Sequence, residues 1–338
     1  MTRKLRSLVL PCMIGASLAL MLGFFGDLHP AFDSFAHFRV HLAFLTALLA
    51  MPLLFTPDRL LSLSALVFAL SALSSVTGMM HLPGGINAKA FPARPADSAV
   101  YRLLELNLRH DNATPEKVLS LIGRVQPDVV SLSEVSPGWE EKLKLLNGAY
   151  PYTSFCTYAD TRYGVAILSR RPFVERSEPA CHPLVSLTMA SVDFSGSTVD
   201  IAALHLGWPW PLPQSRQITQ MSGPLSRLAD NAILAGDLNA APWSTAASRL
   251  ATAGGLDLVP SPGPTWIDRR LPMAFLFAGL PIDNVFVKGG VVVHSIERLD
   301  AVGSDHVPVL VEFSIRPEPG EPDNEQESAT VSLEMLRG

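Results

Sequence analysis

Three apolar runs in the first eighty positions constrain this 338-residue chain more than any other feature. Residues 8–25 and 60–80 contain no charged side chain. A bilayer core takes roughly 20 mostly apolar residues per helical span, so both runs are long enough. The run over residues 40–55 is short unless Phe35-Ala-His-Phe38 extends it, which would place Arg39 near an interface. Pro11 and Pro52 fall near span ends, where a missing backbone donor costs least. A cleaved signal peptide over residues 1–25 is the alternative, but no A-x-A-like site follows and two more apolar runs do. The expectation is therefore a three-helix anchor over residues 1–80. Arg3, Lys4 and Arg6 precede the first run, and the loop over residues 26–34 has Asp27 and Asp33 but no Lys or Arg. Basic residues stay on the cytoplasmic side, so three spans starting inside would put everything after Met80 outside the cytoplasm.

The remaining chain reads as one soluble unit. Charged residues make up 17% of the whole, below the roughly 25% usual in soluble domains, and the apolar excess is confined to the anchor. A net charge of −5 lacks the basic footprint of a non-specific nucleic-acid binder. Residues 81–98 are rich in Gly, Pro and Ala and read as a linker. The acidic, proline-rich stretch over residues 317–338 reads as a disordered tail. Of the three cysteines, Cys12 lies in an apolar run; Cys156 and Cys181 are expected as free buried thiols, with pairing as the alternative in an oxidising compartment.

Between residues 99 and 316 strands and helices alternate. Strands are expected near residues 100–106, 129–133, 163–169, 185–194, 198–204, 233–236, 282–287, 291–296 and 307–313. Helices are expected after Thr114-Pro115, around residues 139–146, over 214–229, and over 245–252 behind a Ser244 cap. Polar residues recur where strands stop: Asn107, Glu134, His205, then Asp237 and Asn239, and finally Ser304-Asp-His306. Asp237 and Asn239, two apart on an extended segment, point the same way. An α/β domain with its site along one sheet edge fits this pattern.

Together these groups suit phosphate ester hydrolysis. A hard divalent cation takes oxygen ligands, which Glu134, Asn107 and Asp305 can supply. Asp237 can orient or deprotonate water, Asn239 can donate to growing charge, and Asp283 can fix or charge His306. Arg109, Arg170 and Arg171 are read as solvated surface rather than a phosphate-steering patch.

The set Asn107, Pro127-Asp-Val-Val-Ser-Leu-Ser-Glu134, Gly164-Val-Ala-Ile-Leu-Ser169, His205, Gly236-Asp-Leu-Asn239, Ile282-Asp283 and Ser304-Asp-His306 resembles the endonuclease/exonuclease/phosphatase (DNase I-like) superfamily, in that family's order over residues 99–315. The resemblance implies a four-layer α/β sandwich and Mg²⁺- or Mn²⁺-dependent hydrolysis of phosphodiesters or phosphomonoesters. It implies Glu134 as the principal metal ligand with Asn107 nearby, and Asp305 as a metal-side carboxylate. His205 would touch the scissile phosphate, Asp237 would act as base, Asn239 would stabilise the transition state, and Asp283 would orient His306. The layout is also similar to a membrane-anchored bacterial subgroup, which implies a multi-pass inner-membrane protein with an extracytoplasmic catalytic domain. Nucleic acid, a lipid headgroup or a small phosphoester are the substrate classes left open, and no protein partner is implied. The segment between Glu134 and His205 is short beside the long loops of DNA-repair members. The aromatic loop His205-Leu-Gly-Trp-Pro-Trp-Pro-Leu-Pro213 is expected simply to pack. A non-catalytic tethered module that keeps the fold is the competing reading, and a transporter component is a third, which three short spans without paired intramembrane charge hardly support.

Overall fold

The computed structural model describes residues 3–81, 91–94, 99–157, 163–175 and 178–316. Most of the expected linker and the whole acidic tail lie outside the described residues.

The N-terminal third is helical: α1 (Arg3–Leu22), α2 (Pro30–Ala36), α3 (Arg39–Leu53) and α4 (Arg59–Thr77). Two of these, α1 and α4, are long and apolar enough to cross a membrane; counting α2 and α3 as one broken span gives a third. The chain does not run straight through Phe35-Ala-His-Phe38, because α2 and α3 meet at a 66° bend. Arg39 sits inside that bend, buried, with its Nη2 donating to the Gly23 carbonyl at 3.0 Å and its guanidinium over the Phe24 ring.

The sandwich comprises β1 (Tyr101–Asn107), α5 (Pro115–Val125), β2 (Val129–Val135), α6 (Pro137–Leu143), β3 (Tyr152–Cys156), β4 (Gly164–Ser169), β5 (Ala180–His182), β6 (Leu187–Phe194), β7 (Ser197–His205), α7 (Gln214–Leu225), β8 (Ala232–Asp237), α8 (Thr245–Gly254), β9 (Asp257–Leu258), β10 (Asp283–Lys288), β11 (Val291–Arg298) and β12 (Val309–Ile315). Two six-stranded sheets face each other, in the orders β11-β12-β1-β2-β4-β3 and β5-β6-β7-β8-β10-β9. Apolar residues between the sheets, among them Phe194 and Phe313, form the central core. Helices α7 and α8 cover one outer face, and α5 and α6 the other. This is the four-layer α/β arrangement that the family resemblance implies.

Each sheet has one parallel pair joined by a helical crossover, β1-α5-β2 and β7-α7-β8, as parallel strands require. Both pairs therefore deliver their strand exits to the same end of the molecule. Local signals account for the helix limits. Ser244 accepts from the Ala247 N–H at 3.1 Å and caps α8, as its position predicts. Thr114 does not cap α5; its hydroxyl lies against the Asn112 side chain and the Val302 carbonyl instead. Pro224 closes the last turn of α7, which stops short of residue 229.

Cys156 and Cys181 are bonded as a disulfide rather than free. The thiols come together because β3 and β5 are edge strands of facing sheets, and this leaves their Cα atoms 5.3 Å apart. That proximity comes from tertiary pairing, which the 25-residue sequence separation does not encode.

The N-terminal helices and the sandwich share an interface. The Asp33 carboxylate accepts from the Thr245 and Ala246 N–H groups at the start of α8, at 2.8 and 2.9 Å. The Trp243 indole donates to the Ala36 carbonyl, and the Ala241 N–H to His37 Nδ1. Met80 and Ser261 form an isolated parallel bridge beyond α4.

Candidate active site

The site is built where strand exits from both sheets converge. In the second sheet the register places His205 beside Asp237 and Asp237 beside Asp283, so three neighbouring strands carry one row of polar residues. Gly236 allows this close packing: a Cβ there would stand 1.9 Å from the Leu204 carbonyl oxygen. In the first sheet Asn107 ends β1, and Glu134 occupies a bulge in β2 with φ at 56°. A bulge re-aims a side chain, and this one turns Glu134 toward Asn107. His306 arrives on the loop before β12. Ser304 fixes that loop by donating its hydroxyl to the Asn107 carbonyl at 2.8 Å and accepting from the His306 N–H.

Asp237 is the hub. It is buried, and its Oδ2 faces three nitrogen groups: Asn107 Nδ2 at 2.9 Å, His205 Nε2 at 3.5 Å and His306 Nε2 at 3.6 Å. Its Oδ1 accepts the Asn239 N–H at 2.8 Å. The histidine distances are too long for good hydrogen bonds and place both rings around a shared position. Burial pushes the Asp237 carboxyl up and Asp283 adds to that, against the pull of His306, His205 and the Asn239 N–H; the net direction is upward.

His306 is gripped from behind by Asp283, whose carboxylate oxygens stand 2.8 and 3.0 Å from Nδ1. Burial alone would lower its pKa, but the charges of Asp283 and Asp237, with the Asp283 hydrogen bond, push it up to about 10. His306 is therefore an imidazolium at neutral pH. Thr265 holds Asp283 in turn, its hydroxyl oxygen accepting from the Ile282 and Asp283 N–H groups. Asn239, in a left-handed conformation (φ 46°), spends one amide hydrogen on the Leu206 carbonyl at 2.8 Å, leaving the other to a ligand.

Glu134 stands at the mouth. Its Oε2 accepts from the His110 N–H at 2.9 Å and lies 2.8 Å from His110 Nδ1, and its Oε1 is 3.4 Å from Asn107 Nδ2. Partial burial would raise its pKa, but the two His110 hydrogen bonds, the charge of His205 and the Asn107 bond outweigh that and hold it below its ordinary value. It is an ionised carboxylate. Asp305 lies on the same side: the Trp266 indole reaches it at 3.3 Å, and it adds with Glu134 to the field around Arg109.

A hard divalent ion fits this oxygen set. Asp237, Asp283 and His306 also group closely enough to hold a metal ion. Their atoms are already committed to one another at 2.8 to 3.6 Å, and a nitrogen ligand is a poor choice for Mg²⁺. The ionised, partly open Glu134 is the better seat, with Asn107 next to it, whose Oδ1 accepts the Arg109 N–H at 2.9 Å and keeps a second lone pair.

Glu105, Trp266, His110 and Tyr163 give no sign of themselves in the sequence reading. Glu105 is buried on β1, and neither of its oxygens has a partner among the described residues. Burial first, then the charges of Asp283 and Asp237, raise its carboxyl well above the usual range. His110 stacks on Tyr163 at 5.0 Å, and Tyr163 leans on His205 at 5.5 Å. The one available signal was proximity: His110 follows the Asn107 strand exit by three residues. The aromatic loop does not simply pack, since Trp208 and Trp210 are about half exposed (48% and 52%), with Trp208 edge-on to Trp266. Arg170 and Arg171 serve the opposite sheet end, bonded to the Gln126 carbonyl and to Asp128.

Residues 104–306 match the model of the Endonuclease/Exonuclease/phosphatase family. No curated protein sequence matches the chain significantly. Among solved structures, an endonuclease/exonuclease/phosphatase from Beutenbergia cavernae superposes with a TM-score of 0.52 at 22% identity, over 66% of this chain and 73% of that one. One from Bacteroides vulgatus gives 0.54 at 18% identity, over 64% and 100%. D. rerio TDP2 complexed with a single-strand DNA product gives 0.50 at 19% identity, over 64% and 99%. At these identities the likeness is one of fold.

Proposed function

The chain belongs to the endonuclease/exonuclease/phosphatase family, and on that premise we propose that it is a membrane-anchored, divalent-metal-dependent phosphoesterase. Residues 1–80 form its anchor and residues 99–316 its catalytic domain. The observation that carries this reading is the convergence of Asn107, His205 and His306 on one oxygen of a buried Asp237, beside an ionised Glu134.

Glu134 and Asn107, with Asp305, would hold Mg²⁺ or Mn²⁺, which when bound polarises a phosphoryl oxygen. This chain's own groups do the rest. Asp237 orients a water for in-line attack and takes its proton as the bond from phosphorus to the ester oxygen breaks and the alcohol departs on the opposite side; desolvation raises the affinity of Asp237 for that proton. His306, charged and locked by Asp283, donates from Nε2 to a phosphate oxygen, and the His205 ring flanks the same position. The free Asn239 amide hydrogen meets the charge that grows on the phosphorus-bound oxygens.

The placement of the catalytic domain outside the cytoplasm is favoured by Arg3, Lys4 and Arg6 ahead of α1 and by the Cys156–Cys181 disulfide. The test is hydrolysis of a generic phosphodiester by the full chain in detergent with Mg²⁺ or Mn²⁺. Turnover should fall roughly 10³-fold or more in Asp237→Ala; turnover at the unsubstituted rate refutes the assignment.

A further inference from the structure

A second cavity, of about 620 Å³, lies between the helical anchor and the sandwich, away from the polar site. Its walls include His37, His41 and Phe44 from the anchor side and Trp243, Phe277 and Arg298 from the sandwich. Most of this surface is apolar, but three polar features face it. His37 is 3% exposed, and its Nδ1 accepts the Ala241 N–H, so Nε2 carries the proton; that donor has no partner among the described residues. His41 donates from Nε2 to the Ala278 carbonyl, leaving Nδ1 a buried acceptor, also without a partner there. Arg298 gives one N–H to the Pro264 carbonyl and supplies the positive charge. Of the nearby acids, Asp33 is spent on the start of α8, while Glu297 and Asp300 line an adjoining cavity that shares Arg298.

The cavity continues onto an apolar surface. Phe44 and Leu48, one turn apart on α3, are both exposed, and Phe277 is 76% exposed across from them. A buried donor, a cation and a bare acceptor at one end, with an open hydrocarbon track at the other, match a charged amphiphile better than a soluble metabolite. We propose that this cavity binds one anionic phospholipid whose headgroup carries hydroxyls, drawn from the surrounding bilayer. Its phosphate sits on Arg298 and His37 Nε2–H, a headgroup hydroxyl donates to His41 Nδ1, and a chain runs along Phe44 and Phe277. The volume suits the headgroup and the upper part of one chain. The inference rests on α3 lying at the membrane, and is independent of hydrolysis. Trp243 follows Asn239 by four residues and Pro281 precedes Asp283 by two, so the lipid packs behind both catalytic segments.

The experiment is native mass spectrometry of the full chain released from micelles with phosphatidylglycerol or phosphatidylcholine. One phosphatidylglycerol should be retained in preference to phosphatidylcholine. Arg298→Gln should weaken its retention about tenfold, the loss of one charge-assisted contact, with the thermal melt unchanged. Val40→Trp, which fills the cavity from α3, should abolish retention. Equal retention of both lipids, or unchanged phosphatidylglycerol binding in Arg298→Gln, overturns the proposal. Because binding is read without turnover, a failed activity assay leaves the result standing. A chain that stays soluble without detergent overturns the membrane placement and the lipid with it.

Discussion

The N-terminal helices and the sandwich differ in the side chains they bury. Between the helices small residues are frequent, Ala43, Ala50, Ala69, Thr46 and Ser62 beside Met13, Leu20 and Leu53, while Leu48 and Leu60 are 70% and 75% exposed. Small contact residues let helix backbones approach closely. In the sandwich large apolar residues such as Phe194, Phe286 and Phe313 are inside, each stabilising by roughly 1.5–3 kcal/mol through removal from water. Yet the sandwich also encloses Glu105, Asp237, Asp283 and His306, all nearly inaccessible. Hydrophobic burial therefore carries the cost of holding these groups in the sandwich, whereas the N-terminal helices rely more on close packing of small residues. The difference teaches where each region tolerates change.

The strongest break of this comparison is to remove a buried charge at the site. Asp237→Ala or His306→Ala should lower kcat by roughly 10³-fold or more, within what proton transfer and charge stabilisation supply. Circular dichroism should show the fold retained; a variant that unfolds would mean the charges support structure rather than chemistry. Asn239→Ala comes next, with a loss of about 10²-fold in kcat, as for removal of one transition-state donor. A KM effect with kcat intact would assign that amide to ground-state binding.

The pH profile sharpens the same point more mildly. His306 must be charged to donate, and its pKa is raised to about 10, so activity should hold through neutral pH and fall as pH rises through about 10. Asp237 must be ionised, and its pKa is raised from the ordinary carboxylate value, so the acid limb should lie above that value. An alkaline limb near pH 6 to 7, where a free histidine titrates, would show that Asp283 does not hold the charge. The smallest effect belongs to the anchor. Ala50→Leu should cost about 1–3 kcal/mol by overpacking, lowering the melting temperature in detergent, while kcat is unchanged. Leu48→Ala on the outward face should do neither.

The strand exits were legible because each joins a short local pattern to a polar stop: an alternating or apolar run, then Asn107, Glu134, His205 or Asp237. Ser244 was legible because capping is local. What escaped depends on contacts distant in sequence. The His110 grip on Glu134 requires the β2 bulge, which no turn residue announces. Strands β3 and β5 escaped because they are short edges, and the cysteine pairing escaped with them. Residues 26–34 read as a loop between spans and Phe35-Ala-His-Phe38 as a possible extension of the second span; instead Asp33, Ala36 and His37 hold the segment that follows Asn239. A short helix whose polar groups all face another part of the chain leaves no periodic trace.

The most direct test is metal-dependent turnover by the intact protein. With a chromogenic phosphodiester and the full chain in detergent, Mg²⁺ or Mn²⁺ should support hydrolysis, EDTA should abolish it, and Glu134→Gln should raise the metal concentration needed for half-maximal rate. Equal rates in EDTA, or an unchanged metal requirement in Glu134→Gln, would contradict the oxygen-ligated metal site on which the assignment stands.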